Sequence, residues 1–359
     1  METIQLKACP NCKSKDIEKV FKEIEYDNDL HEFYKSNELS KKYSSLNFEE
    51  LSKSCFCICK NCLLVFSTNR RKEENMYSIE FFADVQKRWY AQLPVPQRYI
   101  DYHKEFSKNF IAILKKNQFR LSLDPKILWL RPECGIAAMN LLKNVNKDNV
   151  YMLEYFESNI KFLEDNGYKN VEKLPPGDFV SSFGELKFTE IFINHQLTHS
   201  FNPLKLMRTI LDMLDDNGKV IFYNEIDHIE ANKMKNHYPR GINNFHNQLF
   251  TKNSMINFLE TSDANVEFFE SVPPQKNASV HAGMFGVITK NRLTNKKINY
   301  INSIDIFNAE LYSFTNWMNA HTKFSRNLKL KKFLQRLSPV LNIKIILKFI
   351  LKKLKIINY

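Results

Sequence analysis

The sequence predicts an α/β protein: a mainly parallel seven-stranded sheet with helices on both faces, a small thiol-bearing lobe in front and a basic helical tail behind. Three observations predict it. From about residue 104 to 290, short apolar runs alternate with stretches of helical periodicity, joined by connections of a few residues. Two Cys-x-x-Cys turns fall within the first 62 residues. The positive charge gathers at the C-terminal end.

Composition sets the bounds. The 359 residues are 43% hydrophobic and 26% charged, which is globular and leaves room for one large domain and an appendage; disorder and coiled coil are excluded as the main theme. Only 8 glycines exclude a collagen-like architecture. No stretch has the shape of a signal peptide or the roughly 18 uninterrupted apolar residues of a spanning helix, so the expected compartment is the cytoplasm. Of 7 cysteines, all but Cys134 sit in close-set groups before residue 63, a pattern for reduced thiols on a metal rather than a disulfide framework. The net charge of +12 is local: residues 291–359 carry 14 Lys/Arg against 2 Asp/Glu, while residues 1–290 balance at 38 against 38. A basic tail on a neutral protein needs a different explanation from a uniformly basic one.

The front lobe, residues 1–75, holds Cys9 and Cys12 in CPNC and Cys59 and Cys62 in CKNC. Each turn aims two thiolates at one point, and two turns complete the tetrahedral sulfur shell that suits structural Zn²⁺. Cys55 and Cys57 share a face with Cys59 on an extended strand, so either could stand in for a ligand. Leu63 to Phe66 reads as a short strand after the second turn. Between the turns, Glu23, Glu25, Asp27 and Asp29 read as the solvated face of a helical insertion. A closed four-thiolate site leaves no position for substrate, so it staples and chemistry must lie elsewhere.

Residues 76–290 read as the main domain, with a helical lead-in. Ile127–Leu130 is a first strand, followed by a turn at Pro132–Gly135 and a helix through Ala137, Ala138, Leu141 and Leu142. Val150–Leu153 is a second strand ending at Glu154, with a helix carrying Ile160, Phe162 and Leu163 after it. Val171–Leu174 is a third and Phe188–Ile193 a fourth. Leu204–Leu214 reads as a helix closed by Asp215, Asp216, Asn217 and Gly218, and Lys219–Tyr223 as the fifth strand. A helix at Ser254–Glu260 and strands at Val266–Phe269 and Met284–Thr289 complete the pattern. Such alternation implies a parallel sheet whose ligands bind at the carboxyl ends of its strands.

The residues at those ends carry the functional signal. Glu154 follows Gly135 by 19 positions, close to the spacing at which a carboxylate meets the ribose hydroxyls of a nucleoside-bearing cofactor. Asp178 and Phe179 could offer a carboxylate and an aromatic wall to an adenine. Asn194, His195 and His199 follow the fourth strand, and His246 lies in the loop after the fifth.

These blocks resemble the class I S-adenosylmethionine-dependent methyltransferases, in the zinc-headed branch of sugar and small-molecule methyltransferases. The resemblance covers about residues 5–290. It rests on CPNC with CKNCLLVF, ILWLRPECG, YMLEYFESN, GDF, FINHQLTHSFNPLKLMRTILDMLDDNGKVIFYNE and FHNQLFTKNSMINFL. It implies a Rossmann-like fold, S-adenosyl-L-methionine as donor, and a sugar nucleotide, surface-glycan precursor or other small polar acceptor. By the same resemblance Arg131, Glu133 and Gly135 would hold the methionine end of the donor, Glu154 the ribose, Asp178 and Phe179 the adenine, with Asn194 beside them. Two departures stand out. The family's first loop carries several glycines, where this chain has only Gly135, and the family's Glu-His pair after the fifth strand aligns with His246, Asn247 and Gln248.

Methyl transfer from a sulfonium needs in-line positioning and a base when the acceptor begins protonated. His195, His246 and His199 are the candidates for that base, against the plainer reading of each as a surface or hydrogen-bonded histidine. Cys134 reads as a packed residue, since no base is paired with it in the pattern.

In the tail, residues 291–359, Lys344, Lys348, Lys352 and Lys355 repeat at helical spacing with Ile and Leu on the remaining arc. Residues 340–359 would lie on an anionic membrane surface, placing the protein peripherally on the inner face; docking of the apolar arc on protein is the alternative, and nucleic acid is disfavoured. The competing reading of the whole chain is a catalytically inactive methyltransferase-fold binding subunit.

Overall fold

Ile127–Leu130 has no polar side to turn toward water, so a strand here must be covered on both faces. The computed structural model describes residues 3–25, 53–71, 95–173, 183, 186–232, 246–272, 283–290 and 303–315. In it this run is strand β6, all four residues buried, at the centre of a seven-stranded sheet. Five earlier strands belong to the front lobe: β1 (Thr3–Gln5), β2 (Ile17–Glu25), β3 (Lys53–Cys59), β4 (Val65–Ser67) and β5 (Asn69–Arg71). Helix α1 (Gln97–Lys116) precedes β6.

From β6 the chain runs through α2 (Ile136–Leu141), β7 (Val150–Glu154), α3 (Glu157–Asp165) and β8 (Asn170–Lys173), then β9 (Phe188–Asn194), α4 (Pro203–Asp212) and β10 (Leu214–Ile226). There follow α5 (His228–Asn232), β11 (Gln248–Leu249), α6 (Lys252–Thr261), β12 (Ala264–Val272) and β13 (Gly283–Lys290). The central sheet has the order β12-β13-β10-β9-β6-β7-β8. Strands β8, β7, β6, β9 and β10 are parallel, and β13 and β12 close one edge antiparallel. The expected Rossmann-like sheet is therefore present, parallel except at that edge.

Alternation along the strands splits the interior into two layers. Leu128, Leu130, Leu153, Ile191, Ile193 and Phe222 pack with Met207 and Ile210 of α4, Phe258 of α6 and the buried front lobe. Ile127, Trp129, Met152, Phe192 and Tyr223 pack on the other side with Phe106, Phe110 and Leu114 of α1. The Trp129 indole N–H donates to the Tyr223 hydroxyl at 2.8 Å, so the largest polar tips of that layer satisfy each other.

The predicted helix through Leu214 ends instead at Asp212, and Leu214 already pairs with Phe188. Asp215–Gly218 form a bulge before register resumes at Lys219 opposite Glu190. Gly218 is required there, because a Cβ would stand 2.8 Å from the Phe188 carbonyl. Glu23 and Glu25 lie on strand β2, not on a helix face. Asp27, Asp29, Asp178, Phe179 and residues 340–359 lie outside the described residues. The chain divides into two compact units, Met1–Glu310 and Leu311–Tyr359. Among the described residues no helix is long and apolar enough to cross a membrane.

The front lobe is built into the first unit. Its four-stranded sheet has the order β11-β4-β3-β2, so one edge strand comes from residues 248–249 of the main domain. The Asn257 side-chain amide donates to the Cys62 carbonyl at 3.2 Å, and that of Asn11 to the Thr261 hydroxyl at 3.4 Å. A helix over 304–315 follows the last strand; its Glu310 accepts from the Thr251 hydroxyl and the Asn253 amide at the start of α6.

Candidate functional site

Two turns of the lobe bring Cys9, Cys12, Cys59 and Cys62 together, with all four sulfurs within 4.8 Å of one another. The Cys9–Cys62 and Cys12–Cys59 sulfur pairs are each 3.5 Å apart. A tetrahedral zinc–thiolate site with bonds of about 2.3 Å needs sulfurs about 3.8 Å apart, so small adjustments would admit the ion. Three of the four cysteines are buried, and Cys12 is partly exposed. Cys57 instead pairs with Cys55; that contact and burial push its thiol up. Neither belongs to the cluster, which resolves the alternative left by the strand pattern.

At the main sheet the chain turns back between β6 and β9. From β6 it winds outward through β7 to β8, then returns to lay β9 on the other side of β6. The crevice at the carboxyl ends of such a pair is where open α/β sheets take ligands. Glu154, Arg131, Glu133, Asn194 and His195 all lie at these ends.

Glu154 is fully buried. One carboxylate oxygen accepts the Glu133 N–H at 2.7 Å; the other accepts the N–H groups of Tyr155 at 2.8 Å and Phe156 at 3.3 Å. A carboxylate has about four lone-pair sites, so these backbone donors leave one. Burial pushes the Glu154 carboxyl up to about 7, with Arg131 opposing and Glu133 adding to the rise.

The glycine-poor loop achieves its turn by strain. Arg131 and Glu133 both have φ of 57°, a left-handed conformation rare for residues with a Cβ, and Gly135 has φ of 71°. The Arg131 N–H donates to the Leu153 carbonyl and the Glu133 N–H to Glu154, so β7 holds both strained residues in place. At Gly135 a Cβ would stand 2.2 Å from Leu163 Cδ2, so any other residue would push that side chain aside and would also carry the strain of the positive φ.

The side chains of the loop cross the crevice. The Arg131 guanidinium donates to the His195 carbonyl at 3.1 Å, and the Asn194 amide donates to the Arg131 carbonyl at 3.0 Å. Glu133 meets His103 of α1 at 2.8 Å and lies 3.9 Å from Arg131. Burial alone would raise the Glu133 carboxyl, but His103, Arg131 and His195 outweigh it and hold the group at about 2. Gln196 donates to the Tyr155 hydroxyl at 2.8 Å, joining the ends of β9 and β7.

Among the described residues, Ser158 Oγ, both polar atoms of the Asn159 amide and Gln196 Oε1 are buried without a hydrogen-bond partner. Ser158 and Asn159 open α3, directly after Glu154. Unpartnered buried polar atoms cost about 1–3 kcal/mol each, so their gathering near a strand end favours a polar ligand that would satisfy them. Cys134 is fully buried in an apolar cluster with Val95 and Ile136, and burial pushes its thiol up, as a packing role requires.

His195, His199 and His246 also converge, with a ligand nitrogen of each within 4.8 Å of the others. The turn over Asn194–Ser200 is fixed from two sides. Glu225 accepts the N–H groups of Leu197 and Thr198 and the Thr198 hydroxyl, at 2.7, 3.2 and 2.7 Å. Asn247 donates to the His199 carbonyl at 2.9 Å, and Gln248 to the carbonyls of Leu197 and Ser200. Burial pushes the Glu225 carboxyl up.

Sequence reasoning named Glu154, Arg131, Glu133, Asn194 and the three histidines, and the fold brings these together in two adjoining clusters. It missed His103, Gln196 and Glu225. His103 sits on a lead-in helix with no motif around it, and Glu225 falls just beyond the predicted end of its strand.

No protein-family model and no curated protein matches the chain. Solved structures do show likeness. An S-adenosylmethionine-dependent methyltransferase from Clostridium acetobutylicum ATCC 824 is 12% identical with a TM-score of 0.39, over 60% of this chain and 99% of that one. A SAM-dependent methyltransferase from Aquifex aeolicus is 17% identical, TM-score 0.39, over 57% and 96%. The methyltransferase domain of bacterial CtHen1-C is 13% identical, TM-score 0.37, over 53% and 98%. Likenesses this distant leave the fold assignment to the strand order and register, and say nothing of activity.

Proposed function

We propose that this protein transfers a methyl group from S-adenosylmethionine to a small polar acceptor, a sugar nucleotide or surface-glycan precursor. The observation that carries the reading is Glu154: a buried carboxylate closing β7 beside the point where the strand order reverses, with unpartnered side-chain atoms of Ser158 and Asn159, and Gln196 Oε1, near it. In this reading Glu154 and the opening turn of α3 take the ribose of the donor. The strained loop from Arg131 to Gly135 takes its methionine end, with Asn194 holding the loop's backbone. The histidine cluster receives the acceptor's proton. Asp178 and Phe179 retain the adenine role that the resemblance implies.

Cys9, Cys12, Cys59 and Cys62 would hold Zn²⁺ as a structural staple, since their sulfur spacing fits and a full thiolate shell leaves no open coordination position. Residues 340–359 would bind an anionic membrane surface and bring the enzyme to lipid-linked or membrane-proximal acceptors.

Calorimetric titration with S-adenosylmethionine and S-adenosylhomocysteine tests the reading. The wild-type chain binds both, and Glu154→Ala weakens both at least tenfold with an unchanged circular dichroism spectrum. Equal affinity in the variant would refute the role of Glu154. Failure of the wild-type chain to bind either compound would favour the inactive binding subunit, its crevice held shut by the Arg131 guanidinium on the His195 carbonyl.

A further inference from the structure

Three imidazoles from two distant segments rarely converge without something between them. Here each of His195, His199 and His246 brings a ring nitrogen within 4.8 Å of the other two. His195 Nε2 and His246 Nε2 lie 3.4 Å apart. The ring centroids of the three residues are separated by 4.9, 5.3 and 4.8 Å, and no two rings are parallel. Nitrogens bound to one tetrahedral ion at about 2.0–2.1 Å stand about 3.3–3.4 Å apart, the spacing of this pair.

The backbone is committed to the arrangement before any ligand arrives. His195 has φ of 47°, its N–H donates to the Tyr223 carbonyl at 3.1 Å, and its own carbonyl accepts from Arg131. Strain at a strand end, held from both sides, is the usual mark of a functional constraint. The third ligand is held to the first two through its neighbours. The Asn247 N–H donates to the Thr198 carbonyl at 3.0 Å, and the Asn247 side chain to the His199 carbonyl. Residues 194–200 and 246–248 thus form one hydrogen-bonded block. On the far side of His246, the Ser67 N–H donates to the Asn247 carbonyl at 2.8 Å.

We propose that His195, His199 and His246 form a binding site for a divalent transition metal of the Zn²⁺ class, distinct from the four-cysteine cluster. Three neutral imidazoles suit such an ion better than Mg²⁺ or Ca²⁺, which call for oxygen ligands. Three protein ligands leave at least one coordination position for water or for an oxygen of a hydroxylated or carboxylated ligand, and the partial exposure of His199 gives that position a route to solvent. The site lies at the end of β9, so an oxygen-bearing acceptor held there would be beside the crevice. Metal binding itself requires neither donor nor acceptor; imidazoles bound to an ion would not be free to take the acceptor's proton, so with metal present that proton would pass instead to a hydroxide on the ion.

Metal counting on the untagged full-length chain tests the proposal. After the protein is stripped with a chelator and loaded with Zn²⁺, the wild type holds two equivalents per chain; His199→Ala and His246→Ala each hold one, with unchanged circular dichroism. A Zn²⁺-preloaded wild-type chain whose second site is exchanged for Co²⁺ shows d–d absorption without a thiolate charge-transfer band. One equivalent in the saturated wild type would overturn the proposal, as would two equivalents in both histidine variants. Should the variants fail to fold, the Co²⁺ spectrum of the wild type decides: thiolate bands on the second ion refute the site, and imidazole nitrogen couplings in its magnetic resonance spectrum support it.

Discussion

The four-cysteine cluster and the three-histidine cluster are both convergences of metal-binding side chains, but they are assembled differently. Each pair of cysteines arrives on one tight turn, with most of its surroundings supplied by the lobe. The histidines arrive from a strained strand end and from a segment 47 positions after His199, and hydrogen bonds through Glu225, Asn247 and Gln248 help to put them in register. One cluster can complete a closed shell; the other has three ligands and stays open. The difference teaches that a closed thiol cluster can be built locally, while an open cluster of side chains from distant segments depends on more of the fold being in place.

The two clusters are also joined through one strand pair. Strand β11 begins two residues after His246 and pairs with β4, which begins three residues after Cys62. Opening the cysteine cluster should therefore loosen His246, and by linkage a metal on the histidines should hold the cysteine cluster closed by the same free energy. The largest expected effect tests this. Cys59→Ser lowers the melting temperature by more than about 5 °C, in keeping with the several kcal/mol that structural zinc contributes, and removes both metal equivalents. A variant that loses one equivalent and keeps the histidine-bound ion would break the coupling.

Next in size is the pH dependence of the buried acids. Glu154 and Glu310 have folded-state values of about 7 against 4.5 when unfolded, so the folded state holds their protons longer. Each contributes stability that is complete below about 4.5 and lost as pH rises through 7, up to about 3 kcal/mol for each group. Glu133, held at about 2, acts oppositely: its contribution is present above about 4.5 and lost as pH falls through 2. Denaturant midpoints should therefore fall between pH 5 and 8, and Glu154→Gln should flatten part of that fall, with Glu310 and the likewise raised Glu225 contributing to the remainder. An unchanged slope in Glu154→Gln would show that the buried carboxyl is not the titrating group.

Glu225→Gln is expected to cost about 1–3 kcal/mol, because one charged acceptor serving three donors is replaced by an amide that can oppose one of them. It should weaken metal at the histidine cluster and spare the cysteine cluster, as sequential chelator titrations would reveal. The smallest effect belongs to Asn257→Ala, which removes the bond to the Cys62 carbonyl and should cost about 1 kcal/mol with both ions retained. A larger loss, with zinc released, would make α6 part of the staple.

Much of the fold was legible. Ile127–Leu130 is apolar throughout and bounded by turn residues, and the strand occupies those four positions. The helix from Pro203 begins with Asn202 capping the Lys205 N–H, a signal present in the letters Asn-Pro. The failures have physical causes. Asp-Asp-Asn-Gly after Leu214 has the composition of a helix-ending turn, yet the same residues serve a bulge once β9 supplies a partner. Glu23 and Glu25 alternate along a strand as readily as they line a helix. At the site, Glu154 was visible because strand-end acids have a characteristic spacing. His103 reaches Glu133 only through the packing of α1 on the sheet, and no local pattern encodes that. The convergence of His246 with His195 and His199 is a property of the tertiary hydrogen-bond block, so the sequence named all three without revealing that they meet.

The pairing of β11 with β4 joins positions about 180 residues apart in the chain. A polypeptide leaving the ribosome presents all four clustered thiols long before the strand that closes their sheet has been translated. During that interval the front lobe has an open edge, and its cysteines face cellular oxidants and competing metals without their final cover. On the zinc reading proposed above, synthesis in a reducing environment with the ion available early would favour assembly of both clusters.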